Sequence, residues 1–241
     1  MFVYWFFFIL FSFLSINPIS IEKNISKIIK YFFLFLLILF MGLRHQVGGD
    51  WDLYLRDFYS NIEFYSFFDL EYVRDFGYET LSFICFQLGI GIYGLNFIIA
   101  IFFIISLNRF SMEFSKNYWL SLVISFPYLI TVVGMGYTRQ GCALAFILLA
   151  LVTLKKNKIF ACYFYLILAI LFHKSAVIML PLIFITHFRL NLKNILIILI
   201  LIYACLVVIV PDFARIKSGY FSDESKYVST GVYYRLFLNI L

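Results

Sequence analysis

The chain has 241 residues, of which 64% are hydrophobic and only 13% are charged, and its formal net charge at pH 7 is +6. A typical soluble domain carries about 25% charged residues, and a water-soluble core of this length would not hide so much apolar surface. The composition therefore excludes a soluble globular protein and predicts an integral membrane protein.

The apolar runs are continuous and do not alternate with polar residues, which predicts membrane-spanning helices rather than strands. We expect one all-α, polytopic membrane domain over residues 1–241, a helical bundle of about eight spans. The first run has no lysine or arginine before it and no small-residue cleavage site, which predicts a retained helix rather than a signal peptide. In chain order the predicted apolar segments are 1–19, 28–43, 92–108, 119–136, 140–154, 159–172, 175–188 and 194–210, followed by a ninth that begins near Tyr234.

The segment 79–107 allows two interpretations: two short helices broken at "LGIGIYG", or one span preceded by a piece that lies in the membrane interface. The positive-inside rule chooses between them, because the densest basic loop, "KKNK" at 155–158, is placed in the cytoplasm. Counting back from that loop places 109–118 inside. Counting from the N-terminus, with the basic loop at 23–30 inside, places 44–78 outside. The chain between these two segments must therefore cross the membrane an odd number of times. We therefore predict that 92–108 spans the membrane and that 79–90 lies in the interface or dips back.

Polar stretches from separate parts of the chain fall on the outer side of this predicted topology. They are "LRHQVGGDWDLY" at 43–54, "GYTRQG" at 136–141, "FHKSA" at 172–176 and the loop at about 211–233. Because these stretches lie at helix ends on one membrane face, we expect their polar groups to build a cavity at the outer surface.

Four residues in these stretches have both a structural and a functional interpretation. Arg139 has apolar neighbours and no acid within twenty residues along the chain, so it needs a partner anion from another helix or from a ligand. Arg44 is either a snorkelling residue at a helix end or part of a site. Asp50 either pairs with an arginine in a solvated loop or acts chemically. His173 is either a hydrogen-bonded structural residue or a catalytic one.

The aromatic residues near the arginines also allow two interpretations. Trp51, Tyr54 and Tyr137 are typical of aromatic belts at membrane interfaces, and they are also suited to stacking on sugar rings. The four cysteines lie inside apolar runs and are expected to pack as small hydrophobic residues. No metal-ligand spacing is visible, although Asp50 and Asp52 could chelate an ion, and no cofactor is expected.

Three motifs together resemble one family. "RHQVGGDWDLY" resembles the R-x-x-x-G-x-D-x-x-x-Y signature of EpsG-type, Wzy-like bacterial polysaccharide polymerases. "GYTRQGCALAFILLA" is similar to that family's arginine–glutamine pair opening an alanine-rich helix, and "LFHKSAVIMLPL" to its histidine followed by a proline-ended apolar run. The order and spacing agree from Arg44 to Pro181. Family members usually run longer, so we expect a C-terminally truncated member.

The resemblance implies a multi-pass protein of the bacterial inner membrane that assembles O-antigen, capsule or exopolysaccharide. Such a polymerase moves a growing glycan from polyprenyl pyrophosphate onto the next lipid-linked repeat unit at the outer face. The glycosyl pyrophosphate already holds the energy of the new bond, so no nucleotide is required. The implied partners are the polyprenyl-pyrophosphate-linked oligosaccharide, the lipid bilayer, a flippase and a chain-length regulator, with no nucleic acid.

The resemblance also implies roles for individual residues. Arg44 and Arg139 are expected to bind the pyrophosphate, since guanidinium forks suit that group. The base that deprotonates the acceptor hydroxyl is Asp50 or His173, with Asp50 preferred. The remaining residues expected to bind substrate are Gly49, Trp51, Tyr54 and Gln140.

Two other classes of protein remain open at this point. A transporter or flippase of lipid-linked glycans would also need arginines near the headgroups, but it should show broken or charged helices at the midplane and an internal hydropathy repeat. A membrane acyltransferase would need a histidine paired with an acid, and His173 has no such neighbour nearby in the sequence.

Overall fold

The structure of the chain is a computed structural model that describes residues 2–16, 23–60, 75–188 and 191–221. Its internal contacts divide the chain into two compact units, Met1–Ile183 and Phe184–Leu241. Within the described ranges every regular element is a helix and none is a strand. The prediction of an all-α fold is therefore confirmed for this part of the chain.

Ten α-helices run through the described ranges. They are α1 (Phe2–Ile16), α2 (Lys23–Gly42), α3 (Trp51–Ser60), α4 (Phe76–Gln87), α5 (Gly91–Phe114), α6 (Tyr118–Ser125), α7 (Thr138–Lys155), α8 (Ile159–Phe172), α9 (Met179–His187) and α10 (Leu192–Phe221). The helix α6 continues as a π-helix over Phe126–Gly134, and a 3-10 helix over Lys174–Ile178 leads into α9. The π-helix has Pro127 in its first turn, where the missing N–H costs least.

The eight predicted apolar segments each coincide with a helix or a run of helices. Among the described residues, three helical stretches are both long and apolar enough to cross a membrane: α5, α7 and Leu192–Ile209 of α10. The shorter apolar stretches are Phe2–Ile16, Tyr118–Gly134, Ile159–Phe172 and Lys174–His187. These helices bear out a membrane protein, and the total of about eight spans stays a prediction.

The break inside 79–107 lies at "LGIGIYG", and a separate helix precedes it. Gly89 and Gly91 have φ of +67° and +63°, which separates α4 from α5 at a left-handed turn. With 12 residues, α4 is about 18 Å long, shorter than the hydrocarbon core of about 30 Å. The helix α4 is therefore too short to cross the hydrocarbon core as a straight helix, and the interfacial placement of 79–90 stays a prediction.

The helix α5 is the centre of the first unit, packed between α2 and α7, and α7 packs in turn against α8. Leu95, Ile99 and Phe103 of α5 recur every four residues on one face and are fully buried. On α7 the buried residues include Ala145 and Ala150, whose small side chains allow neighbouring helices to approach closely. The alanine-rich sequence of α7 thus serves helix packing.

Several helix termini meet at one end of this unit. The helices α2 and α8 end there, and α5 and α7 begin there. The hydrogen bonds of Arg44, just after α2, to Asn96 of α5 and Thr138 of α7 show that these termini are close together. His173, directly after α8, lies at the same end beside Asp75. The structure thus brings together the stretches at 43–54, 136–141 and 172–176, as the topology predicted.

The second predicted external loop begins as a continuation of α10. The backbone of this helix extends to Phe221, so residues 211–221 are helical, and their external placement stays a prediction. The rest of that loop, the predicted ninth run from Tyr234 and residues 61–74 of the first external loop lie outside the described residues.

Candidate functional site

Arg44 is a buried cation surrounded by neutral groups. Its side chain donates through Nη2 to Asn96 Oδ1 at 2.8 Å and Thr138 Oγ1 at 2.9 Å, and through Nη1 to the Met41 carbonyl at 3.1 Å. Its Nε has no hydrogen-bond partner, and no carboxylate of the described residues forms an ion pair with it. Burial lowers the pKa of Arg44 to about 10, so the group remains charged at neutral pH without a counter-ion.

Arg139, one residue beyond Thr138, has the opposite surroundings. Its guanidinium lies 3.2 Å from Asp57 Oδ2, 3.7 Å from Glu79 Oε1 and 3.8 Å from Asp75 Oδ2. These carboxylates come from α3, from α4 and from the residue before α4. The partner anion that the sequence required is therefore supplied by other segments of the protein.

Two tyrosines lie between the two arginines. The Arg139 guanidinium is 4.9 Å from the ring centroid of Tyr78 and 5.5 Å from that of Tyr54, within the range of cation–π attraction. Both phenols also interact electrostatically with Arg44. Burial raises the pKa of each tyrosine, which keeps both neutral and leaves their hydroxyl groups as hydrogen-bond donors.

His173 and Asp75 form a second pair in the same cluster. The Nδ1 atom of His173 is 3.5 Å from Asp75 Oδ2, slightly longer than a good hydrogen bond, and Nδ1 has no other partner. Asp75 is held in place because its Oδ1 accepts the backbone N–H of Lys174 at 3.1 Å. The Asp75 side chain is 7% exposed and that of His173 is 27% exposed, so the histidine is the member of the pair that a substrate can reach.

The site residues predicted from the sequence do not include Asp57, Asp75 or Glu79. Asp75 and Glu79 are four residues apart at the start of α4, a spacing that places both on one helix face. This spacing could have indicated a pair of acids on one helix face, but it does not indicate which cation binds them. The expectation that the partner anion of Arg139 comes from another helix or from a ligand is met by other segments of the chain, and Asp57 is 82 positions away from Arg139.

Asp50 lies directly before α3, and Trp51 is the first residue of that helix. Asp50 is partly buried before α3, where its carbonyl accepts the Tyr54 N–H at 2.9 Å, and its carboxylate belongs to none of the ion pairs above. Trp51 is 6% exposed and its ring packs against His45 and Tyr93, with centroids 5.8 and 6.1 Å away. The Trp51 ring is therefore largely covered by its contacts with His45 and Tyr93.

Gln140 is exposed although its neighbour Arg139 is buried, so it does not share the pocket of the arginine. At Gly49 an added Cβ would meet nothing within 4 Å. The constrained glycine is its neighbour Gly48, which has φ of +103°. A Cβ added at Gly48 would lie only 2.8 Å from the Gly136 Cα, closer than side chains normally approach. This backbone contact fixes the loop of Arg44 onto the segment that leads into α7.

A crevice at this end of the unit reaches Arg44. Its polar lining comes from Arg44, Asn96, Thr138 and Tyr54, and the Trp51 ring forms part of its wall. The crevice is too narrow to hold a water molecule, so a ligand reaches the guanidinium only when it widens. Among the described residues, no three His, Cys, Asp or Glu side chains are grouped to hold a metal ion.

The site therefore combines a cation without a carboxylate partner among the described residues, a histidine close to a carboxylate, and an arginine that holds three acids together. Such a set can stabilise an anion and move a proton. A model of the EpsG family matches residues 27–240, a range that includes all the site residues described above. No protein with a curated description and no solved structure matches this chain.

Proposed function

The chain belongs to the EpsG family, and from this premise we propose that it is a polymerase of a bacterial surface polysaccharide. It transfers a growing glycan from polyprenyl pyrophosphate onto the next lipid-linked repeat unit. The observation that supports this most strongly is Arg44, a buried cation without a carboxylate partner among the described residues. Its place beside the cluster of Arg139 and His173 suits a substrate that brings its own negative charge.

In this proposal the site faces outward from the inner membrane. The helices that carry the site at one end carry Arg109, Lys155 and Lys156 at the other, close to Lys158. The positive-inside rule places such a basic end in the cytoplasm, and the site end then faces the leaflet where exported repeat units arrive.

The chemistry needs a base and an anion-stabilising group. The acceptor hydroxyl attacks the anomeric carbon of the growing glycan, and the bond from that carbon to the pyrophosphate oxygen breaks. The leaving pyrophosphate keeps the bonding electrons, and Arg44 stabilises its charge. The hydroxyl proton passes to Nε2 of His173, and the negative charge of Asp75 near Nδ1 stabilises the imidazolium.

The geometry supports His173 over Asp50 as the base. The Nδ1 atom of His173 lies 3.5 Å from the buried carboxylate of Asp75, whose negative charge would stabilise the imidazolium that forms. The Asp50 carboxylate has no comparable partner among the described residues. In the same arrangement Arg139 acts as a positioning residue, because it holds Asp75 together with Asp57 and Glu79.

The test is a gel of surface glycan from cells in which the variant replaces the native chain, with protein amounts checked by immunoblot. His173→Gln and Asp75→Asn should each reduce chain extension at least about 100-fold, the usual contribution of general base catalysis. His187→Gln is the matched control, since His187 is exposed in the second unit and should leave the ladder unchanged. If His173→Gln gave a normal ladder of polysaccharide lengths and Asp50→Asn gave none, the general base would be Asp50.

The same gel separates a polymerase from a flippase. A polymerase acts after its substrate has crossed, so His173→Gln should leave single repeat units at the surface and no longer products. If instead no repeat unit reached the surface and units accumulated on the cytoplasmic leaflet, the chain would be a transporter of lipid-linked glycans.

The His173–Asp75 pair also gives an acyltransferase the histidine and acid that its chemistry needs. The family match favours the polymerase. The distinguishing measurement is mass spectrometry of the polysaccharide from the Asp75→Asn strain. Polymer of normal length that lacks an acyl substituent would support the acyltransferase, whereas short but otherwise unchanged glycan supports the polymerase.

A further inference from the structure

A second cavity lies at the opposite end of α5 and α7 from the arginine site. Its volume is about 300 Å³, at the lower limit for pockets that bind small molecules. Along α7 its lining begins at Leu149, about 15 Å from Arg139 at 1.5 Å per residue, and reaches Lys156, about 25 Å from Arg139. Its charged lining includes Arg109, Lys156 and Lys158, and its apolar lining includes Leu149, Val152 and Tyr165.

Positive charge exceeds negative charge around this cavity. Glu113 lines it and is shared by two ammonium groups, since its carboxylate lies 3.0 Å from Lys156 Nζ and 3.8 Å from Lys155 Nζ. Among the described residues, Arg109 and Lys158 form no ion pair. Lys30 of α2 adds a further cation, with its Nζ 2.8 Å from the sulfur of Met112, another residue of the lining.

Part of this charge has a structural explanation. Lys155 and Lys156 lie at the carboxyl end of α7, where cations interact favourably with the helix dipole. That explanation does not extend to Arg109, which lies five residues before the end of α5, or to Lys158, which precedes the first residue of α8. Arg109 and Lys158 are both exposed, and their side chains are therefore accessible to an anionic ligand.

The lining changes from charged to apolar along α7. Lys156 follows the end of the helix, whereas Val152 and Leu149 lie one and two turns further inside. A soluble anion would use only the charged mouth, while a phospholipid would use both parts. We propose that this cavity binds an anionic phospholipid, with its phosphate between Arg109 and Lys158 and an acyl chain along Leu149, Val152 and Tyr165.

The test is native mass spectrometry of the purified full-length chain, released from detergent that contains equal amounts of dioleoyl phosphatidylglycerol and dioleoyl phosphatidylcholine. The native chain should retain phosphatidylglycerol in preference. The double variant Arg109→Gln/Lys158→Gln should bind it about thirtyfold more weakly, as expected for two lost cations near a phosphate. Lys116→Gln is the matched control, because Lys116 is exposed near the same end but does not line the cavity.

Three results would overturn the proposal: equal retention of the two lipids, full retention by the double variant, or displacement of the bound lipid by inorganic phosphate at constant ionic strength. The last result would assign the cavity to a soluble phosphate. The thermal unfolding midpoint of each variant in detergent checks its folding, and the single variant Lys158→Gln tests the same contact if the double variant is unstable. Polymerase activity is not needed for any of these measurements.

Discussion

Arg44 and Arg139 lie at the same end of the first unit and are 5% and 8% exposed, yet their partners differ in kind. Arg44 is held by an amide, a hydroxyl and a carbonyl, whereas Arg139 is held by three carboxylates. Burial alone therefore does not identify an arginine that binds a substrate anion. A carboxylate partner among the described residues is present for Arg139 and absent for Arg44, and under the proposed function Arg44 is the arginine that binds the substrate anion.

The largest effect on stability is expected from Arg139→Ala. This change leaves Asp57, Asp75 and Glu79 close together and mostly buried without their shared cation. Removing one partner of a buried ion pair costs about 3–5 kcal/mol of unfolding free energy. Chemical unfolding of the purified protein in detergent measures this loss, and the amount of protein in the membrane should fall with it.

A compensating variant sharpens the interpretation. Adding Asp57→Asn and Glu79→Gln to Arg139→Ala removes the repulsion and should recover part of the lost stability. Arg139→Lys keeps the charge but loses the planar fork, so its stability should lie between those of the native chain and Arg139→Ala. If Arg139→Ala were as stable as the native chain, the three carboxylates would not depend on this arginine.

The next largest effect is the loss of activity in Arg44→Gln. Without a cation to stabilise the leaving pyrophosphate, polysaccharide extension should fall about 100- to 1,000-fold, by analogy with the removal of other transition-state donors. The loss of stability should be smaller, about 1–3 kcal/mol, because only the hydrogen bonds to Asn96, Thr138 and the Met41 carbonyl are lost.

The ratio of glycan made to protein present is the quantity to measure for both arginines. It should fall sharply in Arg44→Gln while most of the protein still accumulates. In Arg139→Ala the amount of protein should itself fall. The reverse pattern would contradict the assignment of the two roles.

The smallest effect concerns the contact that keeps the two arginines side by side. Gly48→Ala is expected to cost about 1–3 kcal/mol, because Gly48 has a positive φ and a Cβ there would approach the Gly136 Cα at 2.8 Å. Gly49→Ala is the matched control and should change the unfolding free energy by less than about 0.5 kcal/mol. A larger loss in Gly49→Ala than in Gly48→Ala would mean that the loop is held differently.

Much of the helical architecture follows from the sequence because continuous apolar runs leave the backbone few alternatives in a membrane. The segment 159–172 was predicted with the same bounds that α8 has. The meeting of Arg44, Arg139 and His173 at one end also follows from counting helices, since residues after every second span must share a face.

The partners of these residues did not follow from the sequence. The ion pair of Arg139 with Asp57 joins positions 82 residues apart, and the contact of Asp75 with the backbone of Lys174 joins positions 99 residues apart. Such pairs depend on how helices pack, which hydropathy does not encode. The burial of Trp51 and the exposure of Gln140 depend on local rotation of a helix in the same way.

The helix α7 runs without interruption from Thr138 to Lys155 and contributes to both the Arg44 crevice and the cavity lined by Arg109 and Lys158. Thr138 lines the crevice that is too narrow for water, while Leu149 and Val152 line the cavity at the far end. Because α7 is one continuous helix, a tilt that opened the crevice at Thr138 would also displace the opposite end of α7, beside the second cavity. A lipid wedged beside Val152 would then resist or favour that tilt, so membrane composition would set how readily the arginine site opens.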